Sequence, residues 1–334
     1  MPRILTRLLI LAALSCSAVP FIFAQATLPV VLDTIAVGGS GGMDYITCDT
    51  KIHRLYISHS TRVEVVQYDT KEHVGSIEKT TGVHGIALAL DLSRGFTSNG
   101  KDGSVTVFDT KTLAVIKTIE TKQQKPDAIL FEPTTKRVFV FNGDSENCTA
   151  IDATTMEIVG TLTLGGGPEA PVADRKGDIF VNIEAKNEVV QFDAASLKIK
   201  SRWPVAPAQT PTGISMDREN RILFIGGRNQ VFVAMNADDG KVIANFPIGK
   251  GVDGTAFDSK TGMIYVSNKD GSLDVIHEDS PSTFTSIGKV QTSPGAKTLA
   301  LDNKAHRVFL PAARQIDGAS GAKGDMMVLV VGER

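Results

Sequence analysis

Apolar and polar residues alternate along this chain in short runs, and each run stops at a cluster of turn-forming residues. Val105-Thr106-Val107-Phe108 shows the pattern. A two-residue period turns one face of a strand inward and the other outward. The breaks, such as Asn99-Gly100-Lys101-Asp102-Gly103 and Asp109-Thr110-Lys111-Thr112, supply residues that tolerate left-handed backbone or cap a turn with their own side chains. No stretch combines helical length, helical period and caps, so the pattern predicts an all-β chain.

The runs repeat. An aromatic that opens a β-rich run returns at Tyr56, Phe96, Phe139, Phe180, Phe224, Tyr265 and Phe309, at intervals of 40, 43, 41, 44, 41 and 44 residues. An acid stands seven residues before most of them, at Asp49, Glu132, Asp217, Asp258 and Asp302. Asp174 stands six before Phe180, and Ala89 replaces the acid in the second unit. A third marker, an apolar residue followed by Asp, recurs at Tyr68-Asp69, Phe108-Asp109, Ile151-Asp152 and Phe192-Asp193, then changes to Met235-Asn236 and Ile276-His277. Each unit holds four β-type runs, placed in the second at 86–90, 95–98, 104–108 and 114–119. Four strands per unit at this period predict a single seven-bladed β-propeller.

The ends fit ring closure. The last unit supplies only three strands, at 298–301, 307–310 and 326–331, and residues 30–37 are expected to complete it as its outer strand. Such an exchange leaves no open sheet edge. The acids beside the turns read as structural, because an Asp there accepts hydrogen bonds from the backbone just beyond it. The longest insertion, residues 311–325, separates the second and third runs of the last unit and reads as a loop on the face that carries the blade-to-blade turns.

Residues 30–331 resemble the YVTN-repeat (YncE-like) seven-bladed propellers. The second-strand motif stands as Tyr265-Val266-Ser267-Asn268, and more loosely as Tyr56-Ile57-Ser58-His59 and Phe139-Val140-Phe141-Asn142. A Pro-x-Gly blade start appears at Pro211-Thr212-Gly213, while Phe224-Ile225-Gly226-Gly227 and Phe309-Leu310-Pro311-Ala312 depart from the second-strand motif. The resemblance implies the propeller fold. It leaves function open, since related propellers include lactonases, subunits of cofactor-bearing dehydrogenases and proteins with no settled activity.

The first residues read differently. Arg3 and Arg7 precede an apolar run from Leu8 to Leu14, and Ala24-Gln25-Ala26 closes the segment. This is the pattern of a secretory signal peptide over residues 1–26, with the propeller over 27–334. The alternatives fit less well: the run is short for a membrane anchor, and Ala13-Leu14-Ser15 before Cys16 lacks the apolar residue of a lipoprotein site. Cleavage near Ala26 predicts a periplasmic or secreted chain with no transmembrane segment. It also removes two arginines, taking the formal net charge from −2 to −4. Hydrophobic residues at 42% and charged residues at 22% exclude bulk disorder, and the net acidity argues against nucleic acid. The three Cys form no CxxCH or paired CxxC, so covalent haem and a Cys-rich zinc site are excluded. Cys48 and Cys148, two blades apart, are expected as free thiols.

A ring of candidates follows from the alignment. Five residues before each turn-acid position stand Asp44, His84, Asp127, Glu169, Thr212, Asp253 and Lys297. The next residue is Gly or Ala in five units, at Gly85, Ala128, Ala170, Gly213 and Gly254, which suits converging strands. The seven should form one ring at one mouth of the channel, a concave place where polar groups converge. Like charges on Asp44, Asp127, Glu169 and Asp253 favour a matching cation, so a divalent metal on these acids or a small cationic ligand is the expected occupant. Lys297 is expected to supply part of the balance, and His84 another part at low pH.

Other candidates carry less. Gly38-Gly39-Ser40-Gly41-Gly42 and Gly165-Gly166-Gly167 precede no helix and read as inter-blade turns. His53 and His306 fall in surface turns, His59 and His277 stand alone, and Asn147-Cys148-Thr149 is a glycosylation sequon. No HxH, HExxH, EF-hand, GxSxG or SxxK spacing occurs. Three functions fit: an exported scaffold that binds a ligand or protein through the mouth, a metal-assisted hydrolase similar to lactonase propellers with His84 as base, and a redox subunit dependent on a partner. The scaffold is favoured by the absent catalytic motifs, and no cofactor is evident beyond the divalent cation of the second reading. Enzyme activity stays open.

Overall fold

A computed structural model describes residues 27–315 and 323–334. They form seven four-stranded antiparallel sheets, six of them built from four consecutive strands. The seventh is completed by Val30–Ala36, which pairs with Lys323–Gly332 in a register that sets Val31 opposite Val331 and Ile35 opposite Val328. Ring closure therefore has the expected form. The only helical segments among the described residues are the 3-10 turns Leu90–Leu92 and Glu184–Lys186, and no helix is long and apolar enough to cross a membrane.

The repeating aromatics are the wedges between blades. All seven are at most 4% exposed. Phe180, on the fourth blade, packs with Met216, Leu223, Ile225 and Met235 of the fifth. Ile35 joins Ile46, Leu55, Phe309 and Val328 in the cluster that joins the last blade to the first. A core made between sheets explains why one repeat has no stability alone. In the first six blades the register of the outer strand slips at Val65/Val66, Val107/Phe108, Ala150/Ile151, Gln191/Phe192, Ala234/Met235 and Val275/Ile276, and the sixth slips again at Glu278/Ser280. Bulges of this kind twist an exposed edge away from further pairing.

The turn acids are structural, as expected. Asp49, Asp174, Asp217, Asp258 and Asp302 each accept the backbone N–H two residues on, at 2.7–3.0 Å. Glu132 does the same for Thr134 and Thr135. Where Ala89 stands instead, Leu90–Leu92 tightens into a 3-10 turn and Ser93 takes a left-handed conformation that closes it. Cys48 and Cys148 are free, and burial pushes the Cys48 thiol up to about 12 and the Cys148 thiol up as well, so both are inert at neutral pH.

The last blade departs from expectation. Its inner strand is Ala300–Asp302, its second runs on through Arg307–Gln315, and its third begins at Lys323. Most of the insertion read as a loop is therefore strand, with Pro311 opposite Val328. A proline is tolerated there because the inner strand pairs only with Arg307, Val308 and Phe309, which leaves that side of Pro311 free of a ladder. The remaining part of that expectation, residues 316–322, and the leader, residues 1–26, lie outside the described residues.

Candidate functional site

Five inner strands begin one residue before their ring residue and carry a local slip against the second strand. The breaks lie between Val83 and Ile86, Pro126 and Ile129, Pro168 and Pro171, and Pro211 and Ile214. In the sixth blade the slip is between Val252 and Gly254. The skipped positions include His84, Asp127, Glu169, Thr212 and Asp253, so a bulge frees each from the ladder. The small residue that follows is required. A Cβ at Gly85 would lie 2.8 Å from Ile129 Cγ2, and one at Gly213 2.9 Å from the Gly254 carbonyl carbon.

The ring comes together at the mouth. His84 Nδ1 lies 2.7 Å from Asp44 and 3.7 Å from Asp127. Lys297 Nζ reaches Asp44 at 3.1 Å and also contacts Asp253. Thr212 is the exception. It is 1% exposed and donates its hydroxyl to the Val252 carbonyl at 2.7 Å, which ties the fifth blade to the sixth and withdraws it from any ligand.

Several charged neighbours were invisible in the alignment. Lys125 lies 3.5 Å from Asp127, and Arg228 bridges Glu184 at 2.7 Å and Asp253 at 3.7 Å. The four ring acids are therefore not bare: Lys297, Lys125, Arg228 and His84 stand among them. Tyr45 was also missed. It occupies the position that is Gly or Ala in five blades, and its ring packs toward the third and fourth blades across the channel. It lines a cavity of about 160 Å³ beneath the ring, with Gly85, Ala128, Ala170 and Gly213 among the walls. The signal was present as a bulky exception in a column of small residues.

The titration states divide the acids. Burial pushes Asp44 up, but the His84 hydrogen bond and the Lys297 charge outweigh it and hold the carboxyl below its ordinary range. His84 is raised, chiefly by its bond to Asp44. Burial, reinforced by the charges of Asp44 and Asp253, raises Asp127 against the pull of His84 and Lys125. Glu169 rises further, through burial and then the adjoining Glu184 carboxyl. The Tyr45 phenol is raised by burial and then by Asp127, Asp44, Asp253 and Glu169 together, so one hydroxyl feels all four acids. Asp127 and Glu169 are the two that the folded ring keeps toward the protonated form.

Among the described residues one ligand set for a metal stands out. Single ligand atoms of Asp44, His84 and Asp127 all lie within 4.8 Å of one another. Of the expected quartet, Asp44 and Asp127 belong to this group with His84, while Glu169 and Asp253 lie outside it. The remaining histidines are satisfied locally: His59 and His73 by Glu64 at 3.2 and 2.7 Å, His306 by the buried Asp258 at 2.6 Å, His277 by Asp279 at 2.7 Å, and His53 by Asp69. Asn147 is engaged too, donating to Gln123 Oε1 at 2.7 Å.

No family model matches the chain, and no curated protein does. Solved structures do. The chain is similar to the RRP9 WD40 repeats, with a TM-score of 0.79 and 7% identity over 91% of this chain and 98% of that one. It is similar to a chain of the mitotic checkpoint complex, with a TM-score of 0.76 and 14% identity over 98% of each. It is also similar to a chain of hydrazine synthase from Kuenenia stuttgartiensis, with a TM-score of 0.71 and 16% identity over 80% of this chain and 92% of that one. Likeness at these identities establishes the seven-bladed propeller and nothing finer.

Proposed function

We propose that this chain is an exported propeller of the YVTN-repeat (YncE-like) kind, cleaved near Ala26, whose channel mouth binds a small cationic ligand or a protein partner. The observation that carries this reading is the convergence of Asp44, Asp127, Glu169 and Asp253 around one space above a cavity, with two of the four pushed toward their protonated forms. A site that stores carboxylate repulsion gains free energy when a cation enters. Export is checked by the N-terminal sequence of the mature chain, which should begin near Thr27 and, if the leader is retained, begins at Met1.

The mouth is tested by calorimetry on metal-stripped protein with calcium, magnesium, manganese, zinc and a polyamine. The variant Asp127→Asn with Glu169→Gln should weaken binding while melting higher than the parent, by about 1 kcal/mol. The sign follows from raised folded pKa values. The parent loses stability as pH climbs above the ordinary carboxylate range, about 4, whereas the amides do not titrate, so the gap should open upward from there. No heat from any cation, together with a double variant that melts no higher, would reduce the ring to decoration.

The Asp44, His84 and Asp127 set favours a second reading. Two carboxylates and an imidazole suit a borderline divalent ion such as manganese or zinc. Such an ion would polarise a bound carbonyl and lower the pKa of its water, giving the metal-assisted hydrolase. In that case His84 is a ligand, and the base role falls to another group. A panel of lactones and esters assayed with added manganese or zinc separates this reading from simple binding.

A further inference from the structure

The sixth blade breaks the repeat in a second way. Its third and outer strands, Ser272–Ser280 and Thr283–Gln291, are each nine residues long, and their pairing continues past Glu278 opposite Phe284. In the second to fifth blades the residue after the Asp or Asn marker is Thr110, Ala153, Ala194 and Ala237, all buried. Each sends its backbone N–H to the turn before the second strand, at Ser93, Lys136, Gly177 and Arg221. Glu278 makes the same bond to Gly262, so it holds the same place. The fold puts an alanine here three times and a carboxylate once.

That carboxylate meets another. Glu278 is 9% exposed and Asp217, the turn acid of the fifth blade, 3%. Asn220 Nδ2 donates to both, to Asp217 Oδ2 at 2.6 Å and to Glu278 Oε1 at 3.3 Å. Glu278 Oε2 is buried and has no hydrogen-bond partner. The two acids line a cavity of about 260 Å³ with Glu219, Asp279, Ser259 and Ser280. Among the described residues its lining holds four acids and no Lys, Arg or His. Arg218 is turned away, donating to the Ala173 carbonyl at 2.9 Å, while His277, held by the Thr261 carbonyl, reaches Asp279 among the four acids, at 2.7 Å. Asp217 lies at the opposite end of its inner strand from Thr212, so this cavity is on the other face from the mouth.

Two buried carboxylates that face each other cost free energy unless something neutralises them. A shared proton covers one pair, and His277 and Thr285 hold Asp279, but Glu219 still faces the same space. An all-oxygen donor set of carboxylates and hydroxyls, open to water on one side, matches a hard cation that tolerates irregular coordination. We propose that Asp217 and Glu278 are the core of a calcium site that pins the fifth blade to the sixth.

The test is thermal melting of the whole chain in chelator and in calcium. At hundredfold excess over its dissociation constant, calcium should raise the melting temperature by about 5 °C. Glu278→Ala restores the residue of three other blades. It should melt higher than the parent in chelator and ignore calcium, and Glu278→Gln should ignore calcium at unchanged volume. Asp44→Asn, at the mouth, should keep the calcium shift, which separates this site from the proposed mouth function. The proposal is overturned if about 10 mM calcium, ample for an extracellular-type site, leaves the parent unmoved, or if Glu278→Ala responds as the parent does. A parent that ignores calcium but loses stability as pH rises through about 7 would show that a proton alone occupies the pair.

Discussion

Deletion of residues 27–38 is expected to abolish the stable monomer. The strand Val30–Ala36 supplies the whole outer edge of the last blade, and Val37 and Gly38 extend the pairing with backbone bonds to Met326 at 3.0 Å. Without it Lys323–Gly332, the longest strand among the described residues, becomes an open edge and the ring loses the pairing that closes it. Ile35, fully buried between the first and last blades, leaves a void in the cluster that locks the ring. Ile35→Ala alone should cost about 2–5 kcal/mol. The deletion exceeds that and approaches the total stability of a typical domain, about 5–15 kcal/mol. Light scattering and thermal melting of the deleted chain should show oligomers or aggregates. A monomer that melts with the parent would mean that closure is not what holds the ring, whereas Ile35→Ala grades the effect if the deletion yields no soluble protein.

That strand was readable because the last unit was one strand short, and the same kind of local signal explains the rest of what the sequence disclosed. The aromatic wedges, the turn acids and the two-residue alternation each depend on residues a few positions apart, and seven copies make the pattern hard to mistake. The ring could be found because the inner strand spans a constant number of residues from turn acid to mouth. What escaped depends on neighbouring blades. Lys125, Glu184 and Arg228 reach the ring from turns whose direction follows the twist of the sheets. Thr212 belongs to the aligned column, yet the close approach of the sixth blade gives its hydroxyl a backbone partner. Glu278 stands one residue past the lapsed marker Ile276-His277 and drew no notice, because its partner Asp217 comes from the preceding blade. Pro311 stopped the predicted strand too early, since a proline breaks a ladder only where a neighbouring strand asks for its N–H.

Lys297→Met is expected to destabilise the protein and tighten the mouth's hold on cations. The ammonium of Lys297 touches Asp253 and Asp44 at once and ties the last blade to the sixth and first. Burial disfavours its charge, but the two carboxylates outweigh burial and keep it protonated. Methionine preserves most of the stem and removes the charge, leaving Asp253 to Arg228 and Asp44 to His84. Breaking a fully buried pair costs about 3–5 kcal/mol. The Lys297 side chain is 32% exposed, so solvent screening brings the expected loss to about 1–3 kcal/mol. The pH dependence has a definite sign. Asp44 titrates below its ordinary value in the fold, so its pairing stabilises the parent above about pH 4 and is lost as pH falls through the depressed value. The difference between parent and variant should therefore be full at neutral pH and close on acidification. Lys297→Arg, which keeps the charge, should lie near the parent. On the binding side the variant removes the resident cation from between two acids, so manganese or a polyamine should bind about tenfold more tightly at low salt, roughly 1.4 kcal/mol. Equal melting at neutral pH would show that Lys297 is a solvated bystander. Cation binding that is unchanged or weaker in the variant would show that Lys297 does not compete for the space between the two acids.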